Sequence, residues 1–242
     1  MPGGCPAAEF GWFQSVRCSS VPPVNAALPS PSQTTCAGPR DPTPGPLHMA
    51  RRKQPPAHRH CSESWEQPAS GDARLLVVAD THSNPHPATD ERIAELRPDA
   101  ILHAGDIGDL AVLDALRRHA PLFAVRGNID ARVAELPDSL DLMLTLDGEP
   151  RFSIFLTHIA LYGPKLLRPA AERAHRHSCS LVVCGHSHVP FLGRDKGLTV
   201  FNPGSIGPRR FHLPITMGLI ALEDSRLSVK HIDVETGEVW LP

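Results

Sequence analysis

Between Leu75 and His188 an apolar run stops five times at a short segment carrying aspartate, histidine or asparagine. The runs are Leu75-Leu76-Val77-Val78-Ala79, Ala100-Ile101-Leu102-His103-Ala104, Leu122-Phe123-Ala124-Val125, Phe152-Ser153-Ile154-Phe155-Leu156 and Leu181-Val182-Val183-Cys184. The segments that follow them are Asp80-Thr81-His82, Gly105-Asp106-Ile107-Gly108-Asp109, Gly127-Asn128-Ile129-Asp130, Thr157-His158 and Gly185-His186-Ser187-His188. Short, continuous apolar runs suit strands buried on both faces. The polar segments then fall at the carboxyl ends of strands, where open α/β sheets bind their ligands.

The stretches between the runs set the connections. Thr89 to Leu96 has helical spacing and is stopped by Pro98, and Leu110 to His119 places Leu110, Leu113 and Leu116 on one helical face before Pro121. Strand, helix, strand, helix, strand in this order gives right-handed parallel crossovers. Leu140 to Leu146 alternates and is joined to Phe152–Leu156 across Asp147-Gly148, a hairpin turn signal. A helix from about Lys165 to His177 and further strands over Leu198–Phe201, Ile215–Leu222 and Leu227–Val234 complete the pattern. The class is α/β, with two packed mixed β-sheets flanked by helices.

Composition divides the chain in two. Residues 1–72 are rich in Pro, Ser, Ala and Gly, with runs such as Pro39-Arg40-Asp41-Pro42-Thr43-Pro44-Gly45-Pro46, and read as a disordered extension. Residues 73–242 read as one domain. Met49-Ala50-Arg51-Arg52 resembles an ordinary start, which leaves translation of residues 1–48 open. A net charge of -2 gives no basic field for nucleic acid. No apolar run reaches the length of a membrane span and no signal-peptide pattern opens the chain, so the expected location is the cytoplasm. Cys5, Cys18, Cys36 and Cys61 fall in the extension without C-x-x-C spacing, while Cys179 and Cys184 read as buried thiols.

Oxygen and nitrogen donors in this arrangement suit a pair of divalent metals. Asp80 and His82, two apart, can face one ion together if that turn stays extended; alone, D-x-H is also common by chance. Asp106, after a strand and a glycine, is placed to bridge; its other reading, a helix N-cap, suits Asp109 better. Asn128 reads either as a ligand or as a left-handed turn residue, and His158 either as a ligand or as a structural strand-end histidine. His186 and His188 are spaced to reach two neighbouring ions. The other histidines, among them His103, His177 and His231, carry no ligand reading.

The ordered set D-x-H, G-D-x-x-D, G-N-x-D, T-H and G-H-x-H resembles the calcineurin-like metallophosphoesterase superfamily, and within it the small bacterial and archaeal phosphodiesterases. Asn202-Pro203-Gly204-Ser205 and Leu161-Tyr162-Gly163-Pro164 match local features of that branch. The resemblance spans about Leu75 to Val234. It implies a metallophosphoesterase sandwich with a first metal held by Asp80, His82, Asp106 and His188. A second would be held by Asp106, Asn128, His158 and His186, with Asp106 bridging. The implied metal is manganese, with iron, zinc, nickel or cobalt as other occupants. The implied reaction is phosphodiester hydrolysis by a hydroxide activated between two metals, with Asp106 and Asn128 in the catalytic set and Asp130 orienting the ligand loop. The partner expected is a small phosphodiester substrate, with no membrane. Two positions depart from the superfamily pattern: Ile129 and Ala160 stand where histidines near the leaving group and phosphate are usual. Such acids are worth about 10²- to 10⁴-fold, so their loss favours substrates with good leaving groups. Rival readings are a non-catalytic protein-binding scaffold of the same fold, as in the small retromer subunit, a phosphomonoesterase, and a nuclease.

Overall fold

The computed structural model describes residues 58–223 and 226–241. In chain order the elements are β1 (His60–Glu66), β2 (Ala73–Val78), α1 (Thr89–Leu96), β3 (Ala100–His103), α2 (Ala111–Arg117), β4 (Leu122–Ala124), β5 (Ser139–Leu146) and β6 (Glu149–Thr157). After these come β7 (Leu161–Tyr162), β8 (Lys165–Leu166), α3 (Arg168–Arg176), β9 (Leu181–Val183), β10 (Phe191–Asp195), β11 (Leu198–Asn202), β12 (Thr216–Glu223), β13 (Arg226–Asp233) and β14 (Val239–Trp240). One six-stranded sheet has the order β1-β5-β6-β9-β11-β10, and the other β14-β13-β12-β2-β3-β4. Both are mixed, as expected.

Alternation along the strands explains the layers. On β2, Leu75 and Val77 point into the core between the sheets, where they meet Leu140, Leu142, Leu144, Ile154, Leu156 and Phe201. Leu76 and Val78 point the other way, onto Ile93 of α1 and Val112, Leu113 and Leu116 of α2. The outer face of the first sheet, with Phe155 and Val182, is covered by Ala170, Ala171 and Ala174 of α3. The result is helix, sheet, sheet, helix. At the β5–β6 turn both Asp147 (φ 53) and Gly148 (φ 76) are left-handed, the conformation a tight hairpin requires.

Two expectations are corrected here. Residues 58–72 are not a disordered extension: β1 adds to the first sheet in parallel with β5, from His60 opposite Ser139 to Glu66 opposite Thr145. Cys61 is buried in the central core and Trp65 packs against it, so these two residues, on either side of half-buried Glu63, anchor the edge strand. The expected disorder of residues 1–57 lies outside the described residues. The helix expected from Lys165 begins only at Arg168, because Lys165 and Leu166 pair with Leu161 and Tyr162 and Pro169 sits in the first helical turn.

The topology positions the site. β2, β3 and β4 are mutually parallel in one sheet, and β6, β9 and β11 in the other. Each ends in one of the segments noted above, β11 in Asn202-Pro203-Gly204-Ser205. Among the described residues no helix is long and apolar enough to cross a membrane.

Candidate metal centre

Six of the seven expected ligands gather in two groups. Asp80, His82 and His188 offer ligand atoms within 4.8 Å of one another, and so do Asp106, His158 and His186. In the first group His188 Nε2 lies 3.3 Å from Asp80 Oδ1 and 3.3 Å from His82 Nε2. In the second, His158 Nε2 lies 3.3 Å from Asp106 Oδ1. Asp106 also reaches the first group, with Oδ2 3.8 Å from His82 Nε2. One carboxylate thus faces both sets. Asn128 sits in the loop wrapped around Asp106 and lines a cavity of about 280 Å³ with His158, Ile159, Arg126 and His58.

The backbone here is strained. Asp80 (φ 55), His82 (φ 46), Asp106 (φ 54), His186 (φ 72) and His188 (φ 58) are all left-handed. For residues with a Cβ this costs about 1–2 kcal/mol each. It persists only where the surroundings over-determine it, and such residues cluster at functional sites.

The surroundings that impose it are a set of clamps. Buried Asp130 accepts the N–H groups of Ile107 (3.0 Å), Gly108 (2.9 Å) and Gly127 (2.8 Å), tying the loop after β3 to the loop after β4. Asp106 Oδ1 takes the Ile129 N–H at 3.1 Å, and Asp80 Oδ2 takes the His186 N–H at 3.0 Å. Asn202, fully buried, donates through Nδ2 to Gly185 O (2.7 Å) and Ser187 Oγ (3.1 Å). Ser205 Oγ donates to Asp80 O at 2.9 Å. The Asn202–Ser205 segment therefore holds the loops after β2 and β9 together, a role its sequence did not disclose. Asp109 accepts the Ala111 N–H at 2.9 Å at the start of α2.

His103 is a further residue whose role the sequence did not disclose. Its Nδ1 accepts the Gly105 N–H (3.1 Å), so Nε2 carries the proton and donates to Thr81 Oγ1 (3.1 Å), which donates to Ile107 O (3.0 Å). Complete burial pulls this imidazole down from 6.5 to about 4. An unfolded chain therefore binds the proton first, and His103 costs stability as the pH falls from 6.5 toward 4, with no further loss below. At about 1.4 kcal/mol per pH unit the full effect is roughly 3 kcal/mol. Urea unfolding in chelator should show the wild-type advantage over His103→Gln shrinking between about pH 7.5 and about pH 4.5. A constant advantage would show that His103 is not buried in its neutral form.

The donor atoms fit metal ions. His158 Nδ1 lies 2.7 Å from Ala104 O, so the proton is on Nδ1 and the lone pair of Nε2 faces the Asp106 carboxylate. His158 Nε2 and Asp80 Oδ1 are buried without a hydrogen-bond partner. Electron-rich atoms facing each other in a buried site require a cation between them. Burial pushes the Asp80 carboxyl up to about 7, a further sign that its charged form lacks compensation. Against the upward push of burial, and with a proton on His158 Nε2 in place of an ion, that hydrogen bond and the Ile129 N–H hold Asp106 well below the usual carboxylate range, so the carboxylate answers to whichever cation lies between the two groups.

The sequence model of the calcineurin-like phosphoesterase superfamily domain matches residues 74–225. The chain belongs to this superfamily. Among its superfamily relatives, a "probable metallophosphoesterase" of Methanocaldococcus jannaschii is 28% identical over 143 residues, 57% of this chain and 67% of the relative. The phosphodiesterase YfcE of Escherichia coli is 29% identical over 178 residues, covering 64% of this chain and 90% of YfcE. The solved structure of Vacuolar Protein Sorting 29 from Cryptosporidium parvum superposes with a TM-score of 0.57 at 18% identity, over 69% of this chain and 94% of that one. This last likeness bears on the fold alone. The chain is a metallophosphoesterase by family, with His and Asp groups able to bind metal.

Proposed function

We propose that this metallophosphoesterase is a phosphodiesterase working with two divalent ions. The observation that carries the reading is the pair of ligand groups joined through Asp106. Asp80, His82 and His188 with Asp106 would hold one ion, and Asp106, His158 and His186 with Asn128 the other. Bound there, two ions lower the pKa of a water and offset charge on the phosphoryl oxygens. Manganese is the occupant we favour, with iron, zinc, nickel and cobalt as alternatives, since the donors are all nitrogen and oxygen.

The chain's own residues shape what can react. Ile129 and Ile159 are exposed directly after Asn128 and His158, so neither position offers an imidazole to deliver a proton. Ala160 is buried and offers no proton either. A leaving group must therefore depart with little acid assistance, which suits an aryl or similarly stable oxyanion. Arg126 is held by both oxygens of Asp138, at 2.6 and 2.9 Å, and is not a free phosphate ligand. Arg210, exposed, has Nη2 3.1 Å from His82 Nε2 and is the cation best placed to meet a substrate phosphate. The scaffold reading is disfavoured because donor residues stand at all seven positions and five of them sit in left-handed backbone.

The test is hydrolysis of bis-p-nitrophenyl phosphate against p-nitrophenyl phosphate by metal-stripped protein with manganese restored. Manganese-dependent turnover that favours the diester is expected. Absence of turnover with every divalent metal tried would overturn the proposal.

A further inference from the structure

A third set of ligand-type side chains lies outside the candidate centre. His60 on β1, Asp141 on β5 and His177 just after α3 bring one ligand atom each within 4.8 Å of one another. Asp141 Oδ2 is 2.8 Å from His60 Nε2 and 2.9 Å from His177 Nδ1. The other oxygen, Asp141 Oδ1, is 3.8 Å from the sulfur of buried Cys179. None of these residues belongs to either group at the candidate centre. They sit on the outer face of the first sheet, since Leu140 and Leu142 on either side of Asp141 point into the core between the sheets.

We propose that His60, Asp141, His177 and Cys179 form a zinc-type site that fastens β1 to the sheet. The donor set of two imidazoles, a carboxylate and a thiol is one that tetrahedral zinc takes. Bonds of about 2.0–2.3 Å place tetrahedral ligands about 3.4 Å apart; the two imidazoles lie 2.8 and 2.9 Å from Asp141 Oδ2, and Cys179 Sγ approaches the other carboxylate oxygen at 3.8 Å. The sulfur is not among the atoms that lie within 4.8 Å of one another, so entry of an ion requires the two imidazoles to draw back from Asp141 Oδ2 by about half an ångström and the Cys179 side chain to swing in.

The outer contacts are those of a held ligand. His60 Nδ1 is 2.9 Å from Ser139 Oγ, which is also 3.0 Å from Arg173 Nη1 and 2.9 Å from His58 Nε2. A serine hydroxyl accepts from the arginine and one histidine and donates to the other. Without an ion, His60 Nε2–H donates to Asp141 Oδ2 at 2.8 Å; on ion binding the proton would move to Nδ1, which then donates to Ser139 Oγ, the arrangement a metal-bound imidazole adopts when its second nitrogen is anchored. Cys179 is pushed up to about 11 by burial. Its sulfur lies 3.1 Å from Ser153 Oγ, a contact it would exchange for the ion. The four donors come from the first strand, the middle of a central hairpin and the connection from α3 to β9, and an ion among them cross-links these segments.

The experiment uses the full chain, stripped of metal, reloaded with zinc and freed of excess by gel filtration. It is done on the wild type, His177→Ala, and Asp106→Asn with and without His177→Ala. His177 is partly exposed, with 35% of its side chain accessible, so its loss leaves folding intact. His177→Ala should retain one zinc fewer than its parent in both backgrounds. Cobalt loaded into the Asp106→Asn chain should give a thiolate-to-cobalt charge-transfer band that disappears with Cys179→Ser. Hydrogen exchange of residues 60–66 should slow on zinc addition only where His177 is present. Unchanged zinc content on losing His177, or a charge-transfer band indifferent to Cys179, would overturn the site. These readouts do not depend on turnover, so failure of the phosphodiesterase reading leaves them unaffected.

Discussion

Asp106→Asn should leave a folded chain with its hydrolytic activity reduced by about 10³-fold or more, the several kcal/mol of barrier that metal assistance supplies. Asparagine is close in shape to aspartate and tolerates the left-handed backbone found at this position, φ 54. What it removes is charge. Asp106 faces imidazoles of both ligand groups, at 3.3 Å from His158 Nε2 and 3.8 Å from His82 Nε2. An amide bridges two cations poorly, so occupancy of one or both ions should fall with activity. Turnover of bis-p-nitrophenyl phosphate and bound manganese, measured on the same preparation with circular dichroism as the folding check, decide it. Full turnover in this variant would sink the assignment of Asp106 as the bridge.

The sequence made the central strands legible because they are buried on both faces and so read as unbroken apolar runs. β1 carries only Cys61 and Trp65 toward the core, inside His60-Cys61-Ser62-Glu63-Ser64-Trp65-Glu66, and follows a Pro-rich stretch. A half-buried edge strand of that kind leaves almost no periodic signal. The metal-type residues were legible because their chemistry is carried by the side chain and repeats after each strand. The clamps were not, since Asp130, His103, Asn202 and Ser205 act through bonds to the backbone of distant loops, and spacing along the chain does not reveal such partners. The His60, Asp141 and His177 cluster was hidden for the same reason: three segments far apart in sequence supply it, and each histidine alone reads as ordinary.

A methyl group at Gly127 should damage the site more than the fold. The φ of Gly127 is not in the left-handed region, so its value lies in space. A Cβ there would come within 2.2 Å of Asp106 N and Asp106 Oδ1 and 2.9 Å of Asp106 Cα. Two of these atoms are backbone, so no rotamer change relieves the contact. The loops after β3 and β4 would have to part, yet Asp130 binds them through three N–H groups, one of them that of Gly127 itself. Overpacking of this kind costs about 1–3 kcal/mol, and a displacement of about 1 Å at a catalytic group costs about 10² in rate. Gly127→Ala should therefore lower the thermal midpoint, weaken metal binding and cut turnover about 10²-fold. Gly148→Ala is the control. That hairpin glycine has φ 76 and nothing within 4 Å of a built Cβ, so the change strains the backbone by about 1 kcal/mol without touching the site. It should lower the midpoint while leaving turnover per folded molecule unchanged. Were the two variants to lose activity only in proportion to stability, the close approach of Gly127 to Asp106 would have no part in shaping the metal centre.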